Sequence, residues 1–195
     1  MSYKKNSNNN KNIAQILSEK ASDVDINSWA APFIADVIQK GLMNGMGNGK
    51  FAPLKNITRA QMAAIIYNYK GNEMPTDKKI IPNVSDDKWY AKFVNYLVFK
   101  GFMIGYEDGT FRPENNITRA EFMYTIAKIC DIKPLTDKES HDILIKYHDY
   151  EKIPVWAKNT IAAVVKNNIV KGDGQNINPN SFITRQEAAV ILSKI

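Results

Sequence analysis

Residues 41–60 read GLMNGMGNGKFAPLKNITRA and residues 101–120 read GFMIGYEDGTFRPENNITRA, identical at 11 of 20 positions at a constant offset of 60. Repetition constrains the fold more than any other feature. Each copy must take up the same local structure and bury its apolar face against its neighbours. A third, more diverged copy follows: Trp156, Gly172, Pro179, Thr184 and Arg185 keep the order of Trp89, Gly105, Pro113, Thr118 and Arg119, with one residue fewer between glycine and proline. Tryptophan and threonine stand 29, 29 and 28 residues apart in the three copies. The expected organisation is a polar, basic tail with a short helix at 1–21, copies at 22–70, 82–130 and 148–195, and a polar linker with a helical turn or two at 131–147.

Each copy has the same grammar. Phe93, Val94, Leu97 and Val98 make an apolar stripe closed by Gly101, which predicts an amphipathic helix with a left-handed cap. Phe33, Ile34, Val37, Ile38 and Gly41 match it in copy one, and Asn168 stands in for the glycine in copy three. Glycine turns and a proline follow, then Thr58 with Gln61, Thr118 with Glu121 and Thr184 with Glu187. A threonine with Gln or Glu three residues on is a capping box, so a second helix starts there each time.

The box does not require Arg59, Arg119 and Arg185 at the first helical position. A cation at a helix N-terminus costs roughly 0.3–1 kcal/mol. A guanidinium beside free N-terminal N–H groups is a good receptor for a carboxylate or phosphate, so three of them point to a repeating anionic ligand. Pairing with local acids is the competing structural explanation. Trp29, Trp89 and Trp156 open apolar helices, a position more often core than ligand platform, although a partly buried indole also stacks on a sugar ring.

Composition excludes several classes. With 44% hydrophobic residues the chain can bury a core, and no run approaches the roughly 18 apolar residues of a membrane span. The first twelve residues are polar, so an export signal is expected to have been removed or to lie elsewhere. Cys130 is the only cysteine, which rules out an internal disulfide or a thiolate metal cluster. His141 and His148, beside Asp142 and Asp149, fall short of the three ligands that a catalytic metal needs, and neither metal nor cofactor is expected. Residues 1–20 supply +3 of the net charge of +6, too little elsewhere for a duplex-binding face, so no nucleic-acid partner is expected. The chain has no nucleophile elbow, His-Glu-x-x-His or Cys/His pair, and the glycine loops at 106–109 and 171–174 lack the spaced acids of an EF-hand.

The boxes preceded by Ile57, Ile117 and Ile183, the upstream tryptophans, and the Gly-hydrophobic-hydrophobic-x-Gly runs at 41–45 and 101–105 resemble S-layer homology (SLH) domains over about residues 22–195. The resemblance implies a mainly α fold, with three helix-loop-helix repeats forming one pseudo-threefold prism. It also implies a non-catalytic module at the bacterial cell surface, holding an anionic, pyruvylated secondary cell wall polysaccharide in grooves between repeats. No membrane insertion is expected, and a larger surface protein or a peptidoglycan-active enzyme would carry the module. By position Arg59, Arg119 and Arg185 would meet the acidic sugar, with Trp29, Trp89 and Trp156 beside it. The motif's early aspartate falls at Asp23 and Asp149 but is Asn83 in copy two, and Gly45, Gly105 and Gly172 would allow close backbone approach to ligand. The shortened loop and Gln186 mark the site on Arg185 as the expected weakest.

Thr118→Ala is predicted to cost about 0.5–2 kcal/mol through its lost cap, measured by urea unfolding. On the sequence alone, Arg119→Ala should leave melting nearly unchanged.

Overall fold

The computed structural model describes the backbone of residues 3–71 and 81–195 and their side chains from residue 12 onward. The described residues are helical: α1 (Tyr3–Lys20), α2 (Ala31–Gln39), α3 (Arg59–Lys70), α4 (Ala91–Phe99), α5 (Arg119–Ile129), α6 (Asp137–Leu144), α7 (Lys158–Lys166) and α8 (Arg185–Leu192), with 3-10 turns at Tyr150–Lys152 and Val155–Ala157. Only isolated β-bridges accompany them among the described residues. No described helix is long and apolar enough to cross a membrane.

The predicted caps form. Gly41 and Gly101 sit at φ +69° and Asn168 at +57°, each just past the first helix of its copy. Thr58, Thr118 and Thr184 make reciprocal capping boxes with Gln61, Glu121 and Glu187. The short helix expected in the tail is the 18-residue α1. The linker's turn or two is α6, with a capping box of its own between Thr136 and Glu139.

The chain divides into two compact units, residues 1–56 with 184–195 and residues 57–183. Their border cuts through copies one and three, so the units do not follow the repeats. In the first unit α2 contacts both α1 and α8. The buried side of α2 is Ala31, Ile34, Ala35, Val37 and Ile38, and α8 buries Ala188, Ala189, Ile191 and Leu192. The second unit pairs α3 with α4, α5 with α7 and α6 with α7.

Within the second unit lies a ring made by the residue before each capping threonine. Ile57 N–H donates to the Ile183 carbonyl at 3.0 Å, Ile183 to Ile117 at 3.3 Å, and Ile117 to Ile57 at 2.9 Å. All three side chains are fully buried. The ring satisfies six backbone groups that have no water to turn to.

The loop of each copy is held by the early acidic or amide residue. Asp23 accepts from the Phe51 and Ala52 N–H groups at 2.7 and 2.8 Å, and Asp149 from those of Ile177 and Asn178 at 2.9 and 2.7 Å. Such a clamp has a reason to exist, because Ala52, Arg112 and Asn178, one residue past each apolar anchor, have φ of +57°, +53° and +57°. This conformation costs an L-residue roughly 1–2 kcal/mol, least for Asn. Burial pushes the Asp23 carboxyl up, but the two backbone bonds and the Lys50 charge outweigh it, so its pKa falls below the ordinary 3.8. Its stabilising share is therefore complete above that value and is lost as pH falls through the lowered one.

In copy two, Asn83 accepts from Phe111 N–H at 2.7 Å, and its amide has no second carboxylate oxygen for Arg112. Asn83→Asp is therefore expected to stabilise the protein by about 1 kcal/mol in urea unfolding at pH 7. An unchanged midpoint would show that the second bond cannot form.

Candidate functional site

The free helix N-terminal donors inferred from the boxes are occupied. Arg59 N–H donates to the Asn115 carbonyl at 2.9 Å and Ala60 N–H to Pro113 at 2.8 Å; Arg119 and Ala120 donate to Ser181 and Pro179, and Arg185 and Gln186 to Lys55 and Pro53. The threonine takes the third N–H in each box. Backbone carbonyls of another copy's loop thus fill the places that an anion was expected to take.

The arginine side chains are buried, at 3% exposure for Arg59, 9% for Arg119 and 4% for Arg185. Each Nε donates to the carbonyl of an apolar anchor: Arg59 to Phe111 at 2.8 Å, Arg119 to Ile177 at 3.0 Å, and Arg185 to Phe51 at 2.6 Å. Every box arginine therefore reaches the loop of the next copy, in the order one to two, two to three, three to one. Arg59 also donates to the Ile104 carbonyl and to Glu121 Oε1, each at 2.8 Å, and Arg185 to the Asn44 carbonyl at 2.6 Å. Their guanidinium carbons lie 4.6 Å from the Phe111 ring centroid and 4.5 Å from that of Phe51. Burial lowers the Arg185 pKa to about 10, partly opposed by the Asp23 charge, and leaves it protonated at neutral pH.

This register revises two expectations. A structural role for the arginines does exist, and it is contact between copies rather than pairing within one. The shortened loop of copy three faces Arg119, not Arg185, so it gives no reason for the site on Arg185 to be the weakest. The missing residue is also confined to the loop tip. Met46 N–H closes on the Lys50 carbonyl and Tyr106 on Thr110, four residues on, whereas Asp173 closes on Asn176, three residues on.

Gly45, Gly105 and Gly172 are needed by the loops themselves. A Cβ there would lie 2.8 Å from the Lys50 oxygen, 2.6 Å from that of Thr110 and closer still to that of Asn176. Asp23, Asn83 and Asp149 are likewise engaged as loop clamps. The acids of the glycine turns have partners too. The Thr110 hydroxyl, then Arg112, hold the Asp108 carboxyl well below its ordinary range, and the Gln175 and Asn176 N–H groups do the same for Asp173.

The tryptophans stand outside the core, at 60% exposure for Trp29 and 56% for both Trp89 and Trp156. The helices begin two residues later, at Ala31, Ala91 and Lys158, so the indoles lie before the buried faces start.

One of them borders a cavity of about 700 Å³ in the second unit, to which all three copies contribute. Arg59 comes from copy one, Ile104, Tyr106, Arg112, Glu121 and Tyr124 from copy two, and Trp156 from copy three. The Trp156 and Tyr124 rings meet edge to face at 5.3 Å. Arg112 stacks on Tyr106 at 4.0 Å and pairs with Asp108 at 2.7 Å, while the Tyr106 hydroxyl donates to Glu121 at 3.2 Å. Burial raises the Tyr106 pKa and keeps that hydroxyl protonated. Sequence reasoning missed Tyr106, Arg112 and Tyr124; the only available signal was that copy two carries Tyr106 and Arg112 where copy one has Met46 and Ala52. Glu107, Asp108 and Glu121 outnumber Arg59 and Arg112 on the lining, so an anion here would be held by directed donors rather than by net charge. Aromatic faces, hydroxyls and N–H donors around a cavity of this size suit a sugar ring with an acidic substituent.

Arg59→Ala would take the donor from the Phe111 and Ile104 carbonyls and the cation from the half-buried Glu121, with an expected cost of about 3–5 kcal/mol in urea unfolding. Arg59→Lys should rescue little, since one ammonium cannot span the three acceptors. Unfolding within about 0.5 kcal/mol of wild type would show that the buried guanidinium is not structural.

Comparison with known proteins fits the geometry. The family model of the S-layer homology domain matches residues 22–63, 84–123 and 146–189. The chain is 31% identical over 173 residues to a Surface-layer 125 kDa protein of Lysinibacillus sphaericus, covering 87% of this chain and 14% of that protein. It is 34% identical over 137 residues to a Cellulosome-anchoring protein of Acetivibrio thermocellus, covering 67% and 31%. An uncharacterized cell wall amidase of Bacillus anthracis is 25% identical over 183 residues, covering 93% and 33%. The chain thus spans a third or less of the length of these relatives. Three matches in tandem, each containing its capping box, place the chain in the S-layer homology domain family.

Proposed function

We propose that this chain is a non-catalytic anchoring module that holds a larger protein on the bacterial cell wall by binding an anionic, pyruvylated secondary cell wall polysaccharide in grooves between its repeats. The observation that carries this reading is the cavity shared by the three copies, with the buried Arg59 guanidinium and the half-exposed Trp156 on its lining. Arg59 presents N–H groups fixed by protein acceptors, so an acidic substituent would meet a preorganised donor set. Trp156 and Tyr124 offer apolar surface to a pyranose ring.

The names of the relatives support the same use. A surface-layer protein, a cellulosome-anchoring protein and a protein named as a cell wall amidase have a matching segment that fills a third or less of each. A common segment in proteins of such different names fits attachment better than chemistry. The amidase favours one variant of this reading, in which the segment is the wall-binding part of a peptidoglycan-active enzyme. Turnover of wall material by this chain alone would contradict the non-catalytic assignment.

The chain is expected to sediment with native walls and to remain in solution once the secondary polymer has been stripped. Trp156→Ala should weaken that binding by about tenfold, with stability within about 1 kcal/mol of wild type because the indole is already half exposed. Equal sedimentation with native and stripped walls would refute the polymer reading.

A further inference from the structure

A second cavity, of about 340 Å³, lies in the same unit and is lined by Asp137, His141, Tyr150, Val155, Lys158 and Asn159 together with Leu144. Its α6 wall comes from the segment that the repeat pattern leaves over. Arg119 and Trp156 are 37 residues apart, whereas Arg59 and Trp89 are 30 apart, and α6 lies within the longer stretch. The cavity therefore lies beside the third copy.

Its position is tied to the first cavity through the 3-10 turn Val155–Ala157. Val155 lines the second cavity and Trp156 the first. Adjacent residues of one turn thus line the two cavities, which places the second beside the Trp156 end of the first.

The lining has the chemistry to take such a ring. Lys158 Nζ lies 5.6 Å from the Tyr150 ring centroid, and the His141 ring meets the same tyrosine edge to face at 6.0 Å. Among the described residues Lys158 forms no ion pair with a carboxylate, and its ammonium has three donors to offer hydroxyls or an acidic group. Asn159 donates to Asp137 at 2.7 Å, which fixes one amide hydrogen and leaves the amide oxygen as an acceptor at the rim. Tyrosine surface flanked by a cation, an imidazole and an amide gives a ring an apolar face and a few polar groups to orient it.

We propose that this cavity, beside the groove, is a second saccharide subsite which takes the next sugar of the same wall polymer. The proposal rests on the anchoring reading above. It gives the 131–147 insertion a function: extending recognition from one ring to two.

The test uses the full chain and a ladder of fragments of the purified wall polymer, graded from one sugar upward, titrated by calorimetry. Wild type should bind fragments of two or more sugars about tenfold more tightly than the terminal single sugar. Lys158→Met and, separately, His141→Ala should remove most of that gain and leave single-sugar affinity unchanged. His141 is exposed and Lys158 half-buried, and thermal melting checks that the variants stay folded. A gain that persists in both variants, or a wild type that binds all lengths alike, overturns the subsite and leaves the anchoring reading standing. Failure of the wild type to bind any fragment overturns both.

Discussion

Three backbone hydrogen bonds, passed around Ile57, Ile117 and Ile183, govern the rest of this structure. A buried peptide group must find a partner, and those of the isoleucines before each box find one another. Each member of that ring stands directly before a capping threonine, and the next residues are committed in turn. The first two helical N–H groups of each box go to loop carbonyls, and the arginine side chain follows them to the anchor carbonyl of the next copy. The loops are thus held from two sides, by the neighbouring arginine and by the acidic or amide clamp of their own copy. A cavity lined by three copies results from this interlocking, since each copy supplies a different wall.

Much of this was legible within a single repeat. The capping boxes, the left-handed residues Gly41, Gly101 and Asn168, and the apolar stripes are local signals, and local chemistry decides them. What could not be read was what one copy does to another. The helix-dipole penalty correctly marked Arg59, Arg119 and Arg185 as having a purpose beyond their own helices, but periodicity does not reveal that the purpose includes another copy's backbone. The same blind spot linked the shortened loop of copy three to Arg185 when its neighbour is Arg119. Trp29, Trp89 and Trp156 were misjudged for a simpler reason. Each precedes the first helical residue by two, and a difference of two residues decides whether an indole faces core or solvent.

The roles of the candidate residues separate accordingly. Asp23, Asn83, Asp149, Gly45, Gly105 and Gly172 serve the shape of the loops, and any share they have in recognition is through that shape. The arginines serve the contact between copies, each Nε bonded to the anchor carbonyl of the next copy's loop and each guanidinium held rigid by burial. The tryptophans and the Tyr106, Arg112 and Tyr124 cluster are the side chains most available to a ligand. With acids outnumbering bases on the lining of the described cavity, directed bonds and ring stacking, rather than a broad positive field, would select the polymer, and moderate salt should matter little to it.

The most direct measurement is a nuclear magnetic resonance titration of the indole N–H signals, of which the chain has one for each of its three tryptophans. On adding the purified terminal sugar of the wall polymer, the Trp156 signal should shift saturably while a desacidified analogue leaves it in place. Indole signals that stay fixed for both sugars, at concentrations where the chain binds native walls, would contradict recognition in the groove between repeats.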